Sequence, residues 1–228
     1  MPEEAIVQRP LRQIRYIVEG FYDIQQLRIA AQLQIGQLER NGLSADVLRE
    51  LVFARLKADE KEIEKSITAY VKALDVWQTW LKGVKGIGPI ITAGLESWVD
   101  DIGRFDNVAK LWAYAGLHVI DGAAARRKKG EKANWNSRLK TLCWKIGESF
   151  VKTKGGYRGE YDKAKAYYQQ VHSDYTKGHI HAMAKRKAVK LFLSHYWHVK
   201  RELAGLSTQA PYAIAKLGHT TYIEPYQE

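Results

Sequence analysis

A ten-residue segment near the middle of the chain, Val84–Ala93, reads VKGIGPIITA and lies between two apolar patterns with helical spacing. Gly86 and Gly88 tolerate a positive φ and leave no side chain between the backbone and a ligand. Pro89 suits the first turn of a helix, where N–H groups without an intrahelical partner bind anions such as phosphate. The segment therefore predicts a helix-hairpin-helix, and the alternative is a glycine turn that only joins two packed helices.

The predicted hairpin would hold a nucleic-acid backbone without reading the bases. The residues predicted to make these contacts are Lys85, Gly86, Ile87 and Gly88.

Charge is distributed unevenly along the 228 residues, which carry a formal net charge of +11. Residues 1–75 hold 11 Lys and Arg against 12 Asp and Glu, whereas residues 76–228 hold 25 against 13. The basic excess therefore lies entirely on the side that contains the hairpin. A localised basic region is typical of a nucleic-acid-binding protein, and the basic residues do not form the single amphipathic stripe that would favour a membrane surface.

Several classes of protein and of site are excluded or disfavoured. No apolar run approaches the ~20 residues of a membrane-spanning helix, and the acidic start lacks a secretory signal. We therefore expect a cytoplasmic, nucleoid-associated protein without a membrane partner. Cys143 is the only cysteine, so an internal disulfide and zinc sites built from two or four cysteines are excluded.

Four histidines near the last predicted helix raise the question of a metal site: His179, His181, His195 and His198. No acidic residue at helical spacing completes a ligand set, so we expect capping, surface or phosphate-facing roles for them. The sequence thus predicts no metal and no cofactor. The adjacent acids Asp100 and Asp101 are expected to cap a turn or a helix rather than to catalyse a reaction.

Helical periodicity dominates, and it predicts an all-α protein. The first seam comprises Ile14, Ile17, Phe21, Ile24, Arg28, Ala31, Ile35 and Leu38, and the second comprises Ile63, Ile67, Tyr70, Leu74, Trp77 and Leu81. Both have alternating spacings of three and four. Asn41 and Gly42 separate them and suit a helix end. We expect an antiparallel coiled-coil hairpin over 1–78, followed by a compact helical domain over 79–228.

The two seams have a second possible use. Two such helices can fold back on each other or pair with another chain, and the sequence does not separate these alternatives. The length of the seams favours a homodimer or a higher oligomer.

The second half contains further helical patterns. These cover 105–117, a segment that begins near Asn136 or Ser137, about 160–175 and about 180–203. Between the first two lies a segment over 121–132 without apolar periodicity, which predicts a mobile basic loop. Its candidate phosphate-binding residues are Arg126, Arg127, Lys128, Lys129 and Lys132, and the last helix adds Lys185, Arg186 and Lys187. Trp135 and Tyr157 are candidates for stacking on bases.

Taken together, these motifs resemble a known family. Val84–Ala93, Arg104-Phe105, Trp112–Leu117, the basic loop that ends at Gly130, the helix start at Asn136–Lys140 and the block from His181 to Leu203 occur in the same order in the C-terminal domain of the DEDD insertion-sequence transposases, the RNA-guided recombinases. The resemblance covers roughly residues 80–220. In that family a coiled coil joins this domain to an RNase-H-like domain that carries the acidic metal-binding residues.

The sequence departs from the family pattern in two ways. The family has a nucleophilic serine in the loop before its basic stretch, whereas Asp121–Ala125 reads DGAAA and has no hydroxyl. The chain also begins near the coiled coil, so we expect the RNase-H-like domain to be absent. The resemblance then implies a DNA-binding protein that has lost strand transfer. The alternatives are the C-terminal subunit of an active recombinase, a structured-RNA-binding protein, and a scaffold that acts through its coiled coil.

Overall fold

The computed structural model describes residues 11–120, 122–127, 129–208 and 223–226. The chain forms two compact units, 1–74 and 75–228. The first unit contains helices α1 (Leu11–Arg40), α2 (Asp46–Leu48) and α3 (Ala54–Lys72), with a π-helical turn at Arg49–Phe53 that links α2 to α3. The prediction of an all-α fold is confirmed by these helices and by those of the second unit.

The first unit is an antiparallel helical hairpin. Residues of the predicted seam are buried along α1, namely Ile14, Phe21, Ala31 and Ile35, and they are joined by Val18. The interruption at Arg28 has a partner across the hairpin, because Arg28 pairs with Glu60 of α3, which also accepts a hydrogen bond from Gln25 at 2.9 Å. The hydrogen bond from Arg28 holds the pKa of Glu60 below its ordinary value.

The second predicted seam does not form one helix. Helix α3 ends at Lys72, and the amide of Leu74 donates to the carbonyl of Val71 at 3.0 Å in a three-residue turn. A new helix, α4 (Asp75–Thr79), then begins with an acidic residue in its first turn. The prediction of an unbroken helix through Leu81 was therefore wrong. The regular apolar spacing continues across the break, and no glycine or proline in the sequence marks it.

The second unit is built around one long helix. Its elements after α4 are a 3₁₀ turn at Leu81–Gly83, α5 (Pro89–Val99), a 3₁₀ turn at Ile102–Arg104, α6 (Val108–Tyr114), strands β1 (Val119–Ile120) and β2 (Ala123–Ala124), α7 (Ser137–Lys152), α8 (Gly156–Val171) and α9 (Lys177–Leu203). Helix α9 packs against α4, α6, α7 and α8. Its Phe192 lies among Trp80, Phe150 and Tyr157, with ring centroids between 5.4 and 5.6 Å from its own.

Local signals explain where the helices of this unit begin. Asn107 caps α6 by accepting from the Lys110 amide, so α6 is shorter than the predicted 105–117. Asn136 caps α7 by accepting from the Leu139 amide, as predicted for one of two candidate caps. Asp101 accepts from the Gly103 amide at 2.7 Å, which confirms the capping role expected at this position.

Part of the predicted basic loop belongs to a short β-ladder. Strands β1 and β2 pair in an antiparallel register, with Val119 opposite Ala124 and Ile120 opposite Ala123. Gly122 lies in the connecting turn with φ of 77°. An Asp-Gly pair between two short runs is a hairpin signal, and it was missed because three alanines carry little strand propensity.

Residues 223–226 are fixed on the second unit by three hydrogen bonds. The Trp80 indole donates to the Tyr226 carbonyl at 2.9 Å, His195 Nε2 contacts the Ile223 carbonyl at 2.8 Å, and the Tyr226 hydroxyl donates to Glu160 at 3.1 Å. The Tyr226 ring lies against Gly156, where an added Cβ would come within 2.5 Å of it. Gly156 is therefore required for the close approach of this segment to the start of α8.

Two glycines of α8 provide a matched test of this packing. We expect Gly156→Ala to lower the free energy of unfolding by about 1–3 kcal/mol, because the methyl group overlaps the Tyr226 ring. Gly159→Ala, where an added Cβ meets nothing within 4 Å, should instead raise it by about 0.5–1 kcal/mol through helix propensity. Urea denaturation of both variants checks the pair, and equal effects would contradict the packing role.

Candidate nucleic-acid interface

The segment Val84–Gly88 forms a tight turn between the 3₁₀ turn and α5. The Ile87 amide donates to the Val84 carbonyl at 3.0 Å, and Gly86 has a φ of 92°, in the left-handed region. The Ser149 hydroxyl of α7 donates to the Gly86 carbonyl at 2.6 Å. The turn is thus fixed on the C-terminal end of α7.

Gly86 is required by packing as well as by backbone conformation. An added Cβ would lie 2.8 Å from Thr153 Oγ1 and 3.1 Å from Ser149 Oγ. This glycine therefore fits the plain structural role of a turn against a neighbouring helix. A substitution here would disturb folding, so it is a poor probe of ligand binding.

Gly88 differs from Gly86 because it faces open space. It occupies the N-cap position of α5, where no side chain caps the helix, and an added Cβ would meet nothing within 4 Å. Its φ of −96° and ψ of 176° are accessible to other residues. The first turn of α5 can therefore be approached from the side of Gly88, as a phosphate-binding helix N-terminus requires.

The other two predicted hairpin residues have different exposures. Lys85 is exposed beside the turn. The Ile87 side chain is buried in the core, with 4% of its surface accessible. Ile87 can therefore contribute only its backbone to a ligand contact, and its side chain anchors the turn.

The predicted basic loop lies at the other end of α7. Its side chains Arg126, Arg127, Lys129 and Lys132 are exposed, while Lys128 lies outside the described residues. The segment is held by Lys140, whose ammonium group donates to the Ala125 carbonyl at 2.8 Å. The charged groups are thus presented on the surface next to the start of α7.

Helix α7 separates the turn at Val84–Gly88, here called the hairpin, from the basic loop. The loop is attached at Lys140 and the hairpin at Ser149, nine residues apart, which corresponds to about 14 Å along the helix axis. The sequence analysis predicted that the turn at Val84–Gly88 and the basic loop form one phosphate-binding region. The structure separates them into two places on the second unit.

The basic residues predicted on α9 have unequal environments. Lys185 forms an ion pair with Glu148 of α7, and only 13% of its side chain is exposed. Lys187 is exposed and lies 5.7 Å from the centre of the Tyr167 ring. Arg186 is half-buried, and burial lowers the pKa of its guanidinium. Lys187 is therefore the most accessible of the three to a ligand.

The comparison with protein families decides what this region is related to. Residues 78–169 match the Transposase IS116/IS110/IS902 family. This segment is similar to the transposase domain of that family. The predicted resemblance is confirmed over these residues, and the chain is transposase-related. A comparison with curated proteins found no match.

The matched transposase domain contains the hairpin, the basic loop, α7 and most of α8. Helix α9, with Lys185, Arg186 and Lys187, follows the matched segment. The part of the chain with described coordinates has no helix that is long and apolar enough to cross a membrane.

Two cations beside the transposase domain's basic loop were not predicted as site residues. Lys140 and Lys190 both lie against the C-terminal end of α6, since Lys140 Cδ approaches Gly116 and Lys190 Nζ lies over the Trp112 ring. Helical periodicity predicted that Lys190 lies on the polar side of α9. It predicted for Lys140 only a position near the start of a helix. The spacing of four between Arg186 and Lys190 was the only signal that these two share a face.

Tyr157 is not available for base stacking. It is buried, its ring stacks on Phe150 with centroids 4.7 Å apart, and its hydroxyl lies 2.7 Å from His195 Nδ1. The expectation was wrong because the neighbouring glycines suggested a surface loop, whereas Tyr157 is the second residue of α8. Trp135, by contrast, is half-buried beside the basic loop, so its role in stacking stays a prediction.

His195 uses both ring nitrogens within the protein. Since a carbonyl can only accept, Nε2 carries the proton and donates to Ile223, and Nδ1 accepts from the Tyr157 hydroxyl. Burial lowers the pKa of His195 to about 4. Within the described residues, no group of three or more His, Cys, Asp or Glu side chains is arranged to hold a metal ion.

The pKa of His195 predicts a pH-dependent stability. The unfolded chain takes up this proton near pH 6.5 and the folded protein only near pH 4, so stability is present above pH 6.5 and falls as the pH drops towards 4. We expect a loss on the order of 3 kcal/mol from this group. Denaturant unfolding of wild type and His195→Gln at several pH values measures the difference, and parallel pH profiles would contradict it.

Proposed function

We propose that this transposase-related protein binds the phosphate backbone of duplex or branched DNA and performs no strand transfer of its own. The observation that carries the proposal is the open N-terminus of α5 at Gly88, inside the matched transposase domain. First-turn N–H groups and the positive end of the helix dipole attract a phosphate there. Lys85, exposed beside this turn, adds positive charge.

The basic loop provides a second contact. Arg126, Arg127, Lys129 and Lys132 are exposed near the start of α7, about 14 Å from the hairpin attachment along the helix. Two separated phosphate contacts fix the orientation of a nucleic acid without reading its sequence. Binding through such contacts weakens steeply with salt.

The proposal that strand transfer has been lost rests on the residues around β2. Ala123, Ala124 and Ala125 occupy the segment where the resembled family has its serine nucleophile, and alanine offers no nucleophilic atom. Ser149 is not a replacement, because its hydroxyl donates to the Gly86 carbonyl in the hairpin. Ser137 is the first residue of α7, downstream of that segment.

Gly88→Glu tests the hairpin with little risk to folding. A carboxylate at the N-terminus of α5 suits the helix dipole, and the site has room for a side chain, so stability should be unchanged or slightly higher. The same carboxylate repels a phosphate, so we expect affinity for duplex DNA to fall at least tenfold. Fluorescence anisotropy at two salt concentrations measures this loss.

Gly178→Glu is the matched control. Gly178 lies in the first turn of α9, also with nothing within 4 Å of an added Cβ, so the variant adds the same charge at another helix N-terminus. Equal losses in both variants would reduce the effect to net charge and would overturn the hairpin as the binding site. Parallel titrations with a branched DNA junction and a structured RNA decide the preferred ligand, and a preference for RNA would replace the DNA assignment.

We further propose that the first unit joins two copies of the chain. The coiled-coil seam is buried within one hairpin, so a second copy would have to bind elsewhere. Large apolar side chains remain exposed on α1 and around the turn to α2, namely Ile29, Leu33, Leu43, Val47 and Leu51. Leu43, Val47 and Leu51 are spaced by four residues. A contiguous exposed apolar patch is typical of an interaction surface, and we propose that these side chains form one.

A double variant, Leu33→Gln with Val47→Gln, tests this surface. These side chains are 67% and 72% exposed, so their replacement should leave the hairpin folded but shift the protein from dimer to monomer. Light scattering over a concentration series measures the change, with Tyr16→Gln, also 72% exposed, as the control. A wild-type protein that is monomeric at high concentration would contradict the dimer.

A further inference from the structure

Lys140 and Lys190 lie against the C-terminal end of α6, and Arg186 lies one turn before Lys190 on α9. Lys140 comes from the first turns of α7, and Arg186 and Lys190 come from one face of α9. All three side chains are partly buried. We refer to Lys140, Arg186 and Lys190 as the three-cation cluster.

Two tryptophans hold the lysines of this cluster in place. Lys140 Nζ lies 4.2 Å from the centre of the Trp135 ring, and Lys190 Nζ lies 4.0 Å from that of Trp112. The Trp112 indole also donates to the Lys190 carbonyl at 3.0 Å, which ties α6 to α9. Both ammonium groups are thus positioned by aromatic faces, a weaker compensation for lost water than a carboxylate would give.

The three-cation cluster has no acidic partner among the described residues. Other partly buried lysines of the same unit do have one, since Lys185 pairs with Glu148 and Lys200 lies 2.7 Å from Glu96. Lys140 donates to the Ala125 carbonyl, a neutral group. Burying like charges without a counter-charge is unfavourable, so the arrangement calls for an anion from outside the chain.

The surroundings of the three cations lower the pKa of each. Burial, followed by repulsion from Arg186, lowers the pKa of both Lys140 and Lys190. Burial also lowers the pKa of Arg186. In each case the causes include no carboxylate.

A buried polar atom beside the cluster is also without a partner. His118 Nδ1 makes no hydrogen bond among the described residues, and its ring lies edge-on to Trp135 with centroids 6.1 Å apart. Gly116, with φ of 66°, allows this packing, because an added Cβ would lie 2.8 Å from Lys140 Cδ and 2.9 Å from the Trp135 ring. The imidazole therefore lies next to Trp135, the ring that contacts Lys140, at the start of the basic loop.

We propose that the three-cation cluster binds one phosphate group, supplied as a phosphodiester by the nucleic acid that the protein holds. The inference rests on the proposed function for the source of the phosphate. A phosphate offers several acceptor oxygens, which suits two ammonium groups and a guanidinium that approach from two helices. Lys140 lies beside the start of the basic loop, near the N-terminal end of α7, whereas the turn at Gly86 contacts the C-terminal end.

The first measurement uses inorganic phosphate and the full chain. At constant ionic strength, phosphate in place of chloride should raise the midpoint of thermal unfolding of the wild type. It should also change the tryptophan fluorescence, because Trp112 and Trp135 lie against the lysines. In Lys140→Met with Lys190→Met both responses should disappear. The variant should melt close to the wild type in chloride, because the removal of two repelling charges offsets the lost hydrogen bond from Lys140 to the Ala125 carbonyl.

The second measurement titrates duplex DNA and structured RNA at two salt concentrations. We expect the same double variant to bind at least tenfold more weakly than wild type, and inorganic phosphate to compete with the nucleic acid. Lys163→Gln with Lys177→Gln removes two exposed charges from the same unit and serves as the control. The control should lose no more than about threefold, as expected for distant surface charges.

The outcomes separate this inference from the proposed function. Nucleic-acid binding that the cluster variant retains at full strength, with no response to phosphate, overturns the cluster and leaves the proposed function standing. A phosphate response without nucleic-acid binding overturns the proposed function and the phosphodiester source together. A cluster variant that melts well below wild type in chloride overturns the argument that the three charges repel each other unpaired.

Discussion

Burial of one face of α9 organises the second unit. Phe192, Leu193 and Tyr196 are fully buried, and α4, α6, α7 and α8 all pack around this helix. The rings of Trp80, Phe150 and Tyr157 pack around Phe192. The hydrophobic effect favours these contacts in proportion to the apolar area that is removed from water. The hairpin, the basic loop and the segment at 223–226 are all placed by elements that touch this core.

Several buried polar groups of the core have partners, whereas the Thr92 hydroxyl and His118 Nδ1 make no hydrogen bond among the described residues. Glu96 is buried but accepts from the Tyr196 hydroxyl and from Lys200, both at 2.7 Å. The Trp197 indole and Arg201 both donate to the Phe105 carbonyl. Against this background the three-cation cluster, partly buried and without an acidic partner among the described residues, stands apart from the ordinary pairing of charges.

The two glycines of the turn at Val84–Gly88 have different surroundings. Gly86 is required because its φ is positive and because α7 leaves no room for a Cβ. Gly88 has neither constraint and faces open space. The sequence analysis gave both glycines the same role, because the spacing of residues does not show which side chains pack against each one. A substitution at Gly88 can therefore test ligand binding without disturbing the packing, whereas one at Gly86 cannot.

Several features were predictable because their causes are local. Helical periodicity predicted the all-α class, α1 and the turn at Asn41 and Gly42, and the residues near Asn136 predicted the start of α7. The ends of other helices were less predictable. The break after Lys72 carries no glycine or proline, and Asn107 caps α6 later than the apolar pattern suggested.

The sequence by itself determined the helical class, the position of the glycine turn and the concentration of basic charge after residue 75, because these depend on residue type and spacing along one chain. The tertiary structure decided which charges meet. It paired Lys185 with Glu148, buried Tyr157 against Phe150, and brought Lys140 to Arg186 and Lys190. These contacts depend on how α7, α8 and α9 pack against one another, and the spacing of residues along the chain carries no signal of that packing.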